Sequence, residues 1–302
     1  MSSWDGLDEF VAVAHAGTFV GGARSLKLST SHMSRAVALI EKKLATTLFH
    51  RTTRSVRLTD TGRVFLEHCE RLIRERNEAV AQISAEGEPQ GELRLTCSTA
   101  MGERYVVPIV RRFVENFPKL SVSLELTNRV VDLIQEDVDI AIRTGKMSDS
   151  RLIGQKVASR AFFTCASPSY LEKNKAPESI EELSQHQCLL STATSWYFRI
   201  GEKEVVFRPK GRWHCNSGAG TLDAALAGMG LCQLPEFYVL PQISAGKLVE
   251  VLAEYRAARE PIWAVYPQRR HLMSKVSRLV TRLRTELPPA LGYVLEGHSP
   301  ED

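Results

Sequence analysis

"LSTSHMSRAVALIEKKL", residues 28–44, carries more hydroxyl than the start of a helix requires. Met33, Val37, Ile40 and Leu44 recur at i, i+4, i+7 and i+11, the apolar stripe of a helix with one buried face. A single serine is enough to cap such a helix, and Ser29 stands where the cap belongs. Thr30, Ser31, His32, Ser34 and Arg35 are therefore surplus. With the stripe turned inward, the opposite side presents Ser31, Arg35, Ala38 and Lys42, flanked by His32 and Ser34. A helix with that outer face can enter a major groove, where arginine pairs with guanine and serine or histidine meets base edges or phosphates.

The flanking sequence fits the same reading. A first helix with Leu7, Phe10, Val11 and Ala14 on one face stops near Gly17. A second begins at Thr18 and buries Phe19, Ala23 and Leu26 before a turn at Lys27 to Ser29. Two short helices joined by a tight turn, the second rich in polar groups at its start, predict a helix-turn-helix. Beyond it, "FHRTTRSVRLT", residues 49–59, alternates Val56 and Leu58 with Arg57 and Thr59, the pattern of a small basic hairpin. From this wing Arg51, Thr52, Arg54 and Arg57 are expected to touch phosphates, contacts that position without specifying sequence. Between Arg24 and Arg57 eight bases face one acid, Glu41, an excess larger than the +4 of the whole chain. A local positive field on an otherwise balanced protein points to a polyanionic partner, nucleic acid before anionic membrane.

From Asp60 a helical run with Phe65, Cys69, Leu72, Val80 and Ile83 near one face extends to about Gly87. It is too long and too narrow in its stripe to belong only to a three-helix domain, so a second copy is expected to cover it. "EGEPQGE", residues 86–92, then reads as a hinge, because its glycines and proline interrupt any helix. Strand and helix signals alternate afterwards: "ELRLTC", a helix from Gly102 to Asn116, "SVSLELT", a short helix from Val130 to Gln135, and "VDIAIR". A second run of the same kind spans about 166–261, and "IWAVYP" with a helix from Met273 to Leu287 closes the chain. The alternation predicts two α/β lobes with largely parallel sheets and a ligand cleft between them.

The composition sets limits on other classes. At 302 residues, 43% hydrophobic and 25% charged, the chain has room for two or three ordinary globular domains, and no secretory signal or membrane span is read in it. Six scattered cysteines form no CxxC pair and no zinc-ligand spacing, so no metal or other cofactor is expected and the thiols read as reduced and structural. No GxSxG, GxxxxGK[ST] or HExxH motif is present, which argues against an enzyme. A solute-binding protein for transport would share the lobes but leave the basic N-terminal domain without a role.

In the order and spacing of "GTFVGGA", "STSHMSRAVALIE" and "LFHRTTRSVRLTDTG", with Phe10 and Val13 ahead of them, the sequence resembles the LysR-type transcriptional regulators. The C-terminal half is similar more loosely, through "GELRL", "FVENFP", "DVDIAIRTG", "SPSYL", "ALAGMGLCQLP" and "GKLVEVL". There are two departures: Gly21-Gly22 stands where such proteins usually have a pair of alanines, and Ala45 where they commonly have glycine. The resemblance implies a winged helix-turn-helix over 1–59, a linker and dimerisation helix with hinge over 60–91, and an effector-binding domain over 92–302. That last domain would be two Rossmann-like lobes, as in type 2 periplasmic-binding-protein folds: lobe I about 92–165 with 262–302, lobe II about 166–261.

Effectors of such proteins bind between the lobes, and in open α/β lobes ligands sit at the carboxyl ends of strands. The expected lining is Ser98, Thr99, Thr127, Asn128, Arg143 and Thr144 from one lobe and Asn216 and Ser217 from the other, with Trp196 and Phe198 as apolar walls. Hydroxyl donors, helix starts and an arginine favour a small anion. The partners expected are double-stranded DNA carrying an interrupted palindrome, a small effector and a second copy of the chain. The resemblance adds a tetramer and a cytoplasmic location, and leaves RNA polymerase open as a further partner. The competing reading is an architectural DNA-binding protein that works without an effector.

Overall fold

Three helices lead the chain: α1 (Leu7–Ala16), α2 (Phe19–Leu26) and α3 (Thr30–Leu44). They are followed by the strands β1 (Phe49–Arg51) and β2 (Val56–Leu58) and by the long helix α4 (Asp60–Ile83). The computed structural model describes residues 5–51, 56–83, 88–145, 151–268 and 273–292. The chain divides into two units, Met1–Gly87 and Glu88–Asp302. Among the described residues no helix is long and apolar enough to cross a membrane.

In the first unit Phe10, Val13, Ala23, Met33, Val37, Ile40, Leu48, Phe49 and Cys69 make one buried core. Leu26 and Leu44, expected inside, are 36% and 45% exposed, and each is the last residue of its helix. β1 and β2 pair antiparallel with His50 opposite Arg57. The hairpin is tied back to α3 by Glu41, whose Oε1 accepts from the backbone nitrogens of Leu48 at 2.8 Å and Phe49 at 3.2 Å.

The two departures noted in the sequence have different consequences. A Cβ at Gly22 would come within 3.0 Å of the Val13 nitrogen, so the glycine lets α1 and α2 approach more closely than alanine would. Ala45 adopts φ 50°, ψ 36°, a left-handed conformation in which glycine carries no Cβ penalty. The Thr46 nitrogen donates to the Glu41 carbonyl and the Ala45 nitrogen to that of Lys42, the two bonds of a Schellman end. Lys27 closes α2 in the same way at φ 55°.

The second unit is built on two five-stranded sheets. The first is ordered β4-β3-β5-β14-β6, from β3 (Gly91–Cys97), β4 (Leu120–Leu126), β5 (Ile140–Thr144), β6 (Leu152–Arg160) and β14 (Glu260–Pro267). The second is ordered β11-β8-β12-β7-β13, from β7 (Phe162–Ala166), β8 (Cys188–Leu190), β11 (Trp213–His214), β12 (Leu231–Pro235) and β13 (Val249–Glu250). β9 (Trp196–Ile200) and β10 (Lys203–Phe207) form a separate antiparallel ribbon. Between the first two strands runs a helical segment of three parts: α5 (Thr99–Met101), a π turn (Gly102–Val106) and α6 (Val107–Glu115). Gly102 permits the π turn to sit on β4, since a Cβ there would lie 2.2 Å from Leu126. The second lobe carries α7 (Pro168–Asn174), α8 (Gly218–Leu226) and α9 (Glu236–Ser244), and α10 (Ser274–Ala290) buries Val276, Leu279 and Leu283.

Three expectations are corrected. The sheets are mixed: β3 is parallel to β4 and β5, but β14 is antiparallel to β5 and β6, and β7 to β12 and β13. Alternating apolar runs identify strands without giving their direction. The stretch from Val130 to Gln135 is a turn: Asp132 caps it by accepting from the Ile134 and Gln135 nitrogens, but after one turn Asp137 takes φ 52° and the Val138 nitrogen closes on the Leu133 carbonyl, so no helix propagates. The chain crosses between sheets at Ala161 and returns just before Glu260, a few residues ahead of the expected boundaries. One residue separates β6 from β7, so "VASRAFFTCA" reads in sequence as one strand.

Candidate nucleic-acid interface and ligand cleft

At the start of α3 the hydroxyls divide their work. Ser29 Oγ accepts from the His32 nitrogen at 3.2 Å and lies 3.1 Å from Ser31 Oγ, so one serine caps and the next is held beside it. Thr30, Ser31 and Arg35 are exposed, and Ser34 is half-buried. Arg35 Nε donates to the Ser31 carbonyl at 3.3 Å, which lays the guanidinium along the exposed face of α3. His32 has a partner that sequence spacing did not reveal: its Nε2 is 2.9 Å from Glu9 Oε1 on α1. That contact leaves half of its ring in solvent and fixes where it points. Arg57 is exposed on β2, and Arg51 contributes its backbone to β1. Thr52 and Arg54 lie outside the described residues. Arg24, Lys27, Lys42 and Lys43 are exposed as well.

In the second unit, parallel pairing brings the carboxyl ends of β3, β4 and β5 to one edge of the first sheet. Ser98 and Thr99, Thr127 and Asn128, and Arg143 and Thr144 therefore share that edge. Neither Ser98 nor Ser217 uses its side chain to cap the helix it precedes. Asn128 Oδ1 accepts from the Thr99 nitrogen at 3.2 Å, and its Nδ2 donates to the Asn216 carbonyl at 3.0 Å. The second bond runs from one lobe to the other, so Asn128 and Asn216 meet where the two lobes touch. Thr192, which sequence reasoning missed, donates to the same Asn216 carbonyl at 3.1 Å.

Arg143 is the charged group of this edge. Its Nη2 donates to Thr96 Oγ1 at 3.1 Å, and the carboxylate felt by it, Glu125, acts through space and not through a hydrogen bond. Burial pushes the guanidinium down from its ordinary range. Thr96 is itself fully buried, and a lone hydroxyl inside the apolar strand "ELRLTC" was the signal that could have marked it. Thr144 is engaged elsewhere, accepting from Arg160 Nη2 at 2.9 Å.

Trp196 and Phe198 are not cleft walls. Each is 1% exposed and packs with Tyr170, Ile180, Leu183 and Cys188 in a core of the second lobe. Both point inward from the β9–β10 ribbon, where large aromatics are needed to fix a two-stranded element to the lobe. All six cysteines are free thiols, and burial pushes Cys69, Cys97, Cys188 and Cys232 up to about 12. Protonated thiols of that kind are poor nucleophiles and poor metal ligands. No cluster of potential metal ligands occurs among the described residues.

Comparison with known proteins agrees with both halves of this arrangement. Residues 4–63 match the family described as "Bacterial regulatory helix-turn-helix protein, lysR family", and residues 86–288 match "LysR substrate binding domain". The chain is 31% identical to the HTH-type transcriptional activator TtdR of Escherichia coli strain K12, with 99% of each chain covered. It is 30% identical to the HTH-type transcriptional activator AaeR of the same strain, over 92% of this chain and 91% of that one. Among solved structures, the LysR-type transcriptional regulator CrgA from Neisseria meningitidis aligns with a TM-score of 0.57 at 30% identity. That alignment covers 97% of this chain and 99% of CrgA.

Proposed function

Because the chain belongs to the LysR-type transcriptional regulators, we propose that it is a sequence-specific, cytoplasmic regulator that answers to a small anion held between its two lobes. The first unit supplies the DNA contacts: Ser31, His32, Ser34 and Arg35 toward base edges and phosphates, with Thr30 beside them. Arg51, Thr52, Arg54 and Arg57 contact the backbone from the wing. α4 joins two copies, an assignment supported by its length of 24 residues, of which, among the described residues, only Cys69 lies in the buried core, with Phe65 and Leu66 packed against it. Two recognition helices then meet half-sites about one helical turn, roughly 34 Å, or a multiple of it apart. The operator is an interrupted palindrome, and pairs of dimers assemble as tetramers.

The observation that carries the effector reading is Arg143: a half-buried guanidinium with one neutral hydroxyl for a partner, at an edge where three parallel strands end. A half-buried cation in that state gains from a ligand that brings a carboxylate or similar anion. Ser98, Thr99, Thr127, Asn128, Asn216 and Ser217 would orient it. Binding acts by population shift, favouring one degree of lobe closure, and a coupling of about 1–3 kcal/mol to DNA binding is sufficient.

Two experiments test the reading. Genomic fragments bound by the purified protein at stated salt should be enriched in an interrupted palindrome. Salt-sensitive binding without a preferred sequence would instead favour an architectural role. For the cleft, thermal shifts are measured with a panel of small carboxylates and their neutral amides. A hit present at about 100 times its Kd stabilises by about 2.7 kcal/mol. Arg143→Gln should abolish the shift, and an equal shift from the neutral amide, or from the variant, refutes the anionic assignment.

A further inference from the structure

Glu236 is the first residue of α9, yet its carboxylate is 8% exposed and spends its bonds on the two places where the chain passes between lobes. Oε1 accepts from the Ala161 nitrogen at 3.3 Å and from Arg259 Nη2 at 2.6 Å, and Oε2 accepts from Arg259 Nη1 at 3.1 Å. The Glu236 nitrogen in turn donates to the Ala161 carbonyl at 2.9 Å. Ala161 is the outward crossover, and Arg259 is the last residue before β14 on the return. Arg259 also donates to Ser159, through Nε to Oγ at 3.2 Å and through Nη2 to the carbonyl at 3.3 Å. A second ion pair, Arg160 with Glu260 at 2.7 Å, ties the same two strands one residue further on.

The next two residues of α9 reach both sides of the cleft. The Phe237 carbonyl accepts from Arg104 Nη1 of the π turn at 2.7 Å, and the Arg104 guanidinium lies 5.0 Å from the centre of the Tyr238 ring. Tyr238 also fills the space beside Gly218, where a Cβ would lie 2.5 Å from its ring. Gly218 opens α8 directly after Asn216 and Ser217.

We propose that Glu236 is a positioning residue that clamps the interlobe hinge, holding both crossovers together so that lobe movement requires release of Ala161 and Arg259. This deepens the reading of the cleft as an effector site, since closure over Asn216 and Ser217 turns about the crossovers that Glu236 holds. A bidentate carboxylate–guanidinium pair with a backbone amide on the same oxygen resists bending in a way a lone backbone bond does not. Ordinary fold stabilisation by the same pair would instead be felt through the whole unit.

Hydrogen exchange read by mass spectrometry on the full-length protein without added ligand separates the two. In Glu236→Gln, amides around Ala161 and the start of β14 should exchange about tenfold faster, while β3 and β12 keep their rates. Arg259→Gln, which keeps the buried carboxylate, should do the same, and Arg129→Gln, which breaks the surface pair with Glu136, should leave the crossovers unchanged. Unchanged exchange at the crossovers in both hinge variants, or uniform acceleration across both sheets, overturns the clamp. No anion enters the measurement, so its failure leaves the effector reading standing, and failure of the carboxylate panel leaves the clamp standing.

Discussion

Ala45→Gly removes strain that the first unit carries at the end of α3. The residue sits at φ 50°, ψ 36°, in the terminal position of a Schellman end, is exposed, and makes its bond through the backbone, so glycine loses no contact there. A non-glycine residue pays about 1–2 kcal/mol for the left-handed region. Glycine returns about 0.4–1 kcal/mol of that through the greater freedom of the unfolded chain. The net is a stabilisation of about 1 kcal/mol, roughly fivefold in the equilibrium between closed and open forms. The slowest amides of α3, near Met33, Val37 and Ile40, report that equilibrium by native-state hydrogen exchange and should slow by about that factor. Protomer concentration must be held fixed, because self-association stabilises by mass action. Lys27 has the same backbone conformation but belongs to the basic segment, so Ala45 is the position where strain is separated from charge. Unchanged or faster exchange would show that the turn is not strained and that alanine is the better residue there.

Other consequences concern charge. Asp8 and Arg76 form a bidentate pair between α1 and α4 at 2.7 and 2.8 Å, and the hydrogen bonds from Arg76 hold the carboxyl below its ordinary range. Because the folded value is depressed, the stabilisation is present above the unfolded value and is lost as pH falls through the folded one. Asp8→Asn should therefore weaken protection of α1 near neutral pH, and the difference should vanish as acidification carries the carboxyl through its depressed value. With side chains 39% and 48% exposed, the effect is about 0.2–1 kcal/mol, and a difference that persists or grows in acid would exclude this pair as its source. On DNA, Arg35→Ala should relax base preference at one position, costing about 1–3 kcal/mol on the selected site and less on random sequence. Arg57→Ala should weaken both alike and lower the salt slope by about one; equal losses for the two variants on both DNAs would dissolve that division of labour.

What the sequence made legible follows from which forces are local. The stripe of Met33, Val37 and Ile40, the cap at Ser29 and the alternation around β1 and β2 each draw on neighbours within a turn or a strand, and the folded unit has them as expected. The parallel edge that gathers Ser98, Asn128 and Arg143 was legible for a similar reason, since a strand followed by a helix leaves its polar end in a fixed place. The direction of β14 was not, because "IWAVYP" would pattern the same way in either orientation. Trp196 and Phe198 misled because an aromatic beside a polar loop serves a ligand wall and a small satellite core equally well, and only packing against Tyr170 and Leu183 decides between them.

Glu236 marks the limit of local reading most sharply. In sequence it is an acid in the first turn of a helix after proline, a placement the helix dipole alone explains. Its partners lie 75 residues before it and 23 after it, and the hinge they form exists only once two sheets have been built from interleaved segments of chain. A buried carboxylate in that position would be costly if it were there only to favour a helix start, since an exposed acid would do as much. The cost is offset because Arg259 and the Ala161 amide satisfy it, and both belong to the crossovers. The residue is thus placed where the energetics of its own burial and the movement of the lobes are the same set of bonds. On the proposed effector reading, a ligand that changes lobe closure acts against those bonds, so its apparent affinity depends on the hinge as well as on the residues that touch it.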